Sequence, residues 1–198
     1  MSLQERRERE QVQRRRLIIS TARELAEAEG WGAVTTRRLA QQIEWSQPVL
    51  YKHFKAKEDI VQAVALEGFD ELAEALGEAC RTEATPAAGL RELAQAYLRF
   101  ATDNPTVYEA MFTLPVGLDF GVVDTPEPLV AAFAELREAI APLAGDRDLD
   151  SLSELLWGAL HGLVALAHSG RLRPGHEVTR LQLLVDQLSA DADDLAQR

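Results

Sequence analysis

The apolar residues of this chain return at intervals of three and four and rarely of two, a rhythm that admits helices and little else. Ile18, Ala22, Leu25 and Ala26 form one such stripe, which runs into a stop at Gly30. Thr35 or Thr36 can cap a short second helix, TRRLAQQI, with Leu39, Ala40 and Ile43 inward and a break around Glu44 and Trp45. Ser46 or Gln47 opens a third, SQPVLYKHF. Pro48 is tolerated there because N–H groups of the first turn have no intrahelical partner, and Leu50 with Phe54 supplies an inner face at i, i+4. A fourth helix is expected from about Lys57 toward Cys80, with Phe69, Leu72, Ala73 and Leu76 on one side. Further on, Thr85-Pro86, Asn104-Pro105, the loop LPVGLDFGVVDTPEP and breaks at 145–148 and 173–175 separate helices expected near 86–103, 105–113, 126–143, 148–170 and 176–195. The fold class expected is all-α.

Two short helices joined by a tight turn and braced by a longer one in front have the form of a helix-turn-helix, whose second helix can enter the major groove of DNA. The third segment leaves Gln47, Pro48, Val49, Tyr51, Lys52 and His53 facing out. Each has a use there. Gln47 can bond an adenine edge, Pro48 and Val49 can touch a thymine methyl, and Tyr51, Lys52 and His53 can reach phosphates, while Arg37 can read a guanine. A plain solvated helix face is the bland alternative.

A net charge of −11 argues against nucleic acid until its distribution is considered. Residues 1–60 hold 12 Lys/Arg against 9 Asp/Glu, net +3, and residues 61–198 hold 9 against 23, net −14. A small basic head can face an anion while a large acidic body stays off it. Two domains are expected, 1–60 and 61–198. The segment QERREREQVQRRR, residues 4–16, either lies along DNA or extends the first helix into solvent; Glu5, Glu8 and Glu10 blunt the first option, and Arg14, Arg15 and Arg16 are its likelier contacts.

Residues 34–65, VTTRRLAQQIEWSQPVLYKHFKAKEDIVQAVA, resemble the DNA-binding domain of the TetR family of transcriptional repressors, through the Thr-Arg start of one helix, the Gln-Pro start of the next and its Leu-Tyr-x-His-Phe ending. The resemblance implies base contacts from Arg37, Gln47 and Pro48, and backbone contacts from Thr36, Tyr51, Lys52, His53 and Lys57. Two positions depart from the family pattern. Glu44 stands where the turn usually has glycine, so either the turn has another geometry or Glu44 carries a strain of about 1 kcal/mol. Val49 replaces a small hydroxyl residue and removes one phosphate hydrogen bond.

In the acidic body, LLWGALHGLVALA, residues 155–167, is apolar nearly all round and must be covered on more than one side. Gly158 and Gly162 permit close approach of another helix, and Val178, Leu181, Val185 and Leu188 give the last helix a stripe. The cover is either the rest of the same chain or a second copy; two helices from each of two chains would make a four-helix interface, the dimerisation mode that the resemblance also implies. A two-fold dimer calls for a near-palindromic operator on double-stranded DNA. The resemblance further implies a small-molecule effector in this body, and Trp157-Gly-x-x-His161-Gly162 is similar to a subtype with a Trp/His-Gly signature. Tyr97, Phe100, Tyr108, Met111, Phe112, Phe133, Trp157 and His161 are the candidate lining, aromatic with a few polar handles, suited to a largely apolar ligand.

No Gly-x-Ser-x-Gly elbow or phosphate loop is present, so no enzyme activity and no cofactor are expected. His161 and His168 stand two helical turns apart, about 10 Å, too far for one metal, and Cys80 and His176 add no ligand spacing. No apolar run reaches the roughly 20 residues of a membrane span, and the charged N-terminus lacks a signal-like apolar core, so a cytoplasmic protein is expected. The competing functional class is a helical small-molecule-binding or interaction module without specific DNA binding.

Overall fold

A computed structural model describes residues 2–81 and 83–195, and every regular element among them is helical. In order these are α1 (Leu3–Glu29), α2 (Thr36–Gln42), α3 (Gln47–Tyr51), α4 (Lys57–Arg81), α5 (Pro86–Asp103), α6 (Pro105–Phe112), α7 (Glu127–Ile140), a 3-10 turn (Ala141–Leu143), α8 (Leu149–His168) and α9 (Glu177–Leu195). The all-α expectation holds, with the helix-turn-helix segment at the N-terminal end. Prolines mark three of the starts as the sequence suggests, Pro48, Pro86 and Pro105, all in first turns, where a missing N–H costs nothing; the helix expected over 126–143 instead ends at Ile140, and Pro142 sits in the first turn of the 3-10 segment that follows. Residues 4–16 are not a separate arm. They continue α1, closed by a capping box between Ser2 and Glu5.

The chain packs as two compact units, residues 1–68 with 104–126, and residues 69–103 with 127–198. In the first, Ile18, Ala22, Leu39, Leu50, Ile60, Val64 and Val107 are buried in one core. Residues 104–126 are tied to the N-terminal helices by three long-range hydrogen bonds. The indole N–H of Trp31 donates to the carbonyl of Thr106 at 2.8 Å, Arg23 donates to Asn104 Oδ1 at 2.8 Å, and Gln62 donates to the carbonyl of Val116 at 3.0 Å. Because Trp31 fills the turn between α1 and α2, the first of these fixes where α2 begins relative to α6.

In the second unit α5 packs against α7, α8 and α9. Tyr97, Leu90, Leu93, Ile140, Leu156 and Leu160 are fully buried there. Leu181 and Val185 of α9 join this core, at 4% and 1% exposure. The guanidinium of Arg147 donates to the carbonyls of Leu143, Ala144 and Leu188, which clamps α9 to the turn before α8. Two of its three acceptors, Leu143 and Ala144, lie at the C-terminal end of the 3-10 turn, where positive charge is favoured, and the third is within α9.

α4 contains a close approach that only glycine allows. A Cβ built on Gly68 would lie 2.5 Å from Val107 Cγ1 and 2.8 Å from Met111 Sδ, both on α6 and both buried. Alanine would raise helix propensity by up to about 1 kcal/mol but overpack the contact at a cost of about 1–3 kcal/mol. Gly68→Ala is therefore expected to lower stability by up to about 2 kcal/mol in urea unfolding of the full chain; a variant more stable than the wild type would refute the close packing of α4 on α6.

Candidate nucleic-acid interface

α2 begins at Thr36 because Thr35 is extended and its hydroxyl accepts the Arg38 amide at 3.2 Å. It ends in a Schellman turn: the Trp45 amide donates to the Ala40 carbonyl at 2.8 Å and the Glu44 amide to the Gln41 carbonyl at 3.2 Å. Such a turn needs one residue in the left-handed region, and Glu44 takes it at φ 61°. The departure from glycine is thus accommodated by strain, worth about 1 kcal/mol, with the turn geometry retained.

α3 follows at once, opening on Ser46 with Pro48 in its first turn. Leu50 is 0% and Phe54 2% exposed, whereas Tyr51 is 47% exposed. Pro48 and Lys52 are exposed too, and Gln47, Val49 and His53 are half-buried at the surface. The phenol of Tyr51 and the hydroxyl of Thr36 lie 3.2 Å apart in a hydrogen bond that joins α2 to α3. The two adjacent arginines at the start of α2 part company. Arg38 makes a two-pronged ion pair with Glu29, at 2.8 and 2.6 Å, whose hydrogen bonds hold the Glu29 carboxyl below its ordinary range. Arg37 is exposed and has no carboxylate partner among the described residues. Lys57 donates to the carbonyl of Trp31 and so has a structural task besides any contact with DNA.

Two features of this region carried no signal in the helix-turn-helix pattern. Arg14 lies over the ring of Trp45, 5.9 Å from its centroid, and Arg15 lies 4.1 Å from the centroid of Phe54 while donating to the His53 carbonyl at 3.2 Å. An arginine pair one helix before two aromatic residues was the only available hint. His53 is also 6.2 Å from the Trp45 ring. Burial first, then the charges of Arg14, Arg15 and Lys52, push its imidazole below the usual histidine value, so it is neutral at pH 7. Three cations, Arg14, Arg15 and Lys52, and one neutral imidazole therefore meet at the C-terminal end of α3.

The candidate effector residues fall in different units. Tyr108, Met111 and Phe112 lie on α6 in the first unit, with Tyr108 and Met111 buried and the Tyr108 and Phe112 rings 4.6 Å apart. Tyr97, Phe100, Phe133, Trp157 and His161 belong to the second. There Tyr97 and Phe100 are core, while Phe133 and Trp157 meet edge to face at 6.1 Å and are half-buried, as is His161 one turn along α8. Burial lowers the His161 pKa, leaving it neutral at pH 7. The candidate dimer residues also divide. Leu181 and Val185 face the chain's own core and Leu188 is half-buried, so they are not available as an open stripe. Val178 is exposed, and nothing lies within 4 Å of a Cβ built on Gly158 or Gly162. No group of three or more potential metal ligands occurs among the described residues, and none of the described helices is long and apolar enough to cross a membrane.

Comparison with known proteins agrees with this geometry. Residues 18–64 match the bacterial regulatory proteins of the tetR family, and residues 90–190, just over half of the chain, match the tetracyclin repressor-like C-terminal domain. An uncharacterized HTH-type transcriptional regulator, YobS of Bacillus subtilis (strain 168), is 30% identical over 95 residues, 48% of this chain and 49% of that protein. The tetracycline repressor protein class C of Escherichia coli is 45% identical over 51 residues, 26% of this chain and 23% of that protein. The chain thus spans about half or less of the length of these curated relatives. A solved structure of a protein with unknown function from Rhodococcus sp. RHA1 shares the fold, with a TM-score of 0.73 and 23% identity over 89% of this chain and 94% of that one. With residues 18–64 matching the family's N-terminal regulatory domain and residues 90–190 its C-terminal domain, the chain belongs to the tetR family.

Proposed function

We propose that the protein is a cytoplasmic repressor that binds a near-palindromic operator as a homodimer and is released by a small, largely apolar effector. The observation that carries this reading is α3 itself: five residues whose only buried side chain is Leu50, and whose remaining side chains meet solvent beside unpaired Arg37. Residues 1–60 are assigned DNA recognition, with Arg37, Gln47, Pro48 and Val49 at base edges and Thr36, Tyr51, Lys52, His53 and Lys57 at the backbone. Residues 61–198 are assigned effector binding and dimerisation. This division of roles crosses the division of packing, since 104–126 packs with the head.

For the effector, the five aromatic and imidazole residues of the second unit support a site of the Trp/His-Gly subtype around Trp157 and His161. A neutral imidazole beside an edge-to-face aromatic pair offers one donor and one acceptor on an apolar surface, which suits a ligand with a few polar atoms. Release requires only that the effector favour the arrangement that cannot hold DNA. A coupling of about 1–3 kcal/mol changes affinity roughly 5- to 150-fold.

For the dimer, α8 supplies an apolar face left open in the single chain: Leu155 at 67% exposure, Gly158, Gly162 and Leu166 recur at three- and four-residue intervals. α9 adds Val178, while its Leu181, Val185 and Leu188 support the interface from behind by fixing α9 on α5. Two copies meeting on this face would place two α3 helices on one side of a duplex, with half-sites about one turn, or about 34–36 Å, apart.

Two sets of outcomes follow. Arg37→Ala and Gln47→Ala are expected to cost about 1–3 kcal/mol and to relax the preference at particular base pairs, whereas Lys52→Ala weakens all sequences alike and lowers the salt slope by about 1. Fluorescence anisotropy with operator and single-base variants measures this, and three variants indistinguishable from wild type would contradict the assigned docking. Leu155→Glu is expected to shift the protein from dimer to a species near 21.9 kDa in sedimentation at micromolar concentration without loss of helix content. An unchanged dimer would rule out the α8 face.

A further inference from the structure

Residues 4–17 of α1 are exposed throughout, and the first buried side chain after them is Ile18. A free helix of that length is marginal in water, so its ordering comes from continuity with the buried half and from its own pairs. Those pairs use up the acidic residues. Glu5 closes the capping box with Ser2, Glu8 accepts from Gln4 at 3.3 Å, and Glu10 pairs with Arg6 at 3.3 Å. Arg9 donates to the carbonyl of Glu5. Arg7, Arg14 and Arg15 have no carboxylate partner among the described residues.

These free cations share a side. Arg7 and Arg14 are seven residues apart, about 20° from alignment around the helix and about 10 Å apart along it, with Gln11 between them. The contacts of Arg14 with Trp45 and of Arg15 with Phe54 and the His53 carbonyl show which way this side faces: toward the C-terminal end of α3, where Lys52 and His53 stand. The basic end of α3 is therefore continued by a row on a second, already ordered helix.

We propose that Arg7, Gln11 and Arg14, continuing from Arg15 and Lys52, form a rigid helical row that binds the phosphates flanking each half-site and lengthens the operator beyond the base pairs that α3 reads. The proposal rests on the DNA-binding role of α3. The partner is duplex DNA by charge complementarity and by continuity with the α3 surface. One strand carries a charge every 3.4 Å or so of axis, so a row of about 10 Å addresses phosphates about three base pairs apart. The cations enter without first breaking carboxylate pairs and lose little freedom, because Arg14 and Arg15 are already held against rings.

The test compares the full chain on two duplexes, the minimal specific site and the same site with about six further base pairs on each side, at several salt concentrations. Wild type is expected to bind the longer duplex several-fold more tightly and with a steeper salt dependence. Arg7→Gln is expected to lose much of that gain, with a slope shallower by about 1 per copy, and to equal wild type on the minimal site. Arg9→Gln removes the same charge about 200° around the helix from Arg7 and is expected to behave as wild type on both. The row is overturned if Arg7→Gln matches wild type on the longer duplex, or if Arg9→Gln loses as much as Arg7→Gln, which would indicate general charge attraction. If wild type prefers no duplex at all, the DNA-binding role of α3 fails and not only the row.

Discussion

A helix of five residues has no stability of its own, and the rest of this molecule's function depends on one being held in place. Nucleating a helical turn fixes several dihedrals for a single hydrogen bond, so α3 would not persist as an isolated segment. It persists because Leu50 and Phe54 are driven into the core of the first unit, each burial worth about 1.5–3 kcal/mol. A Schellman turn delivers the chain to Ser46 in the right direction, even at the cost of a glutamate in the left-handed region. Everything α3 presents outward is set by those two inward side chains and that turn.

The charges around α3 separate reading from holding. Arg38 is engaged by Glu29, which fixes the start of α2 and leaves the neighbouring Arg37 as the exposed base-reading candidate. Arg14 and Arg15 are parked against aromatic rings, where a guanidinium keeps its charge and its donors while its position is restricted. His53, kept neutral by burial and by these cations, retains one N–H that can donate to a phosphate oxygen. The acidic remainder of the chain lies in sequence beyond this cluster, so net charge alone conceals a locally basic surface.

Much of the fold was legible because helix boundaries are written in local chemistry. The expected 86–103 and 105–113 became Pro86–Asp103 and Pro105–Phe112, since proline and the preceding residue set those limits without help from tertiary packing. The inward pair Leu50 and Phe54 was legible for the same reason, as a one-turn spacing. What could not be read were contacts between residues far apart in the chain. Nothing local to Trp31 says that its indole reaches Thr106, so the packing of 104–126 with the N-terminal helices was invisible. The aromatic residues looked like one lining but occupy two units, because periodicity gives the inner face of a helix and not which core it enters. On α9, Leu181 and Val185 were equally suited to a partner chain or to α5, and the structure has α5 covering them.

The central claim is that two copies of the chain present α3 to one DNA duplex in a sequence-specific way. Selection of binding sites from random duplex DNA by the purified full chain tests it most directly. The account predicts a near-palindromic consensus with half-site centres about one helical turn apart, bound about 10³-fold or more above scrambled DNA at physiological salt. Weak, salt-sensitive binding without a consensus, or a consensus with a single unrepeated half-site, would contradict it.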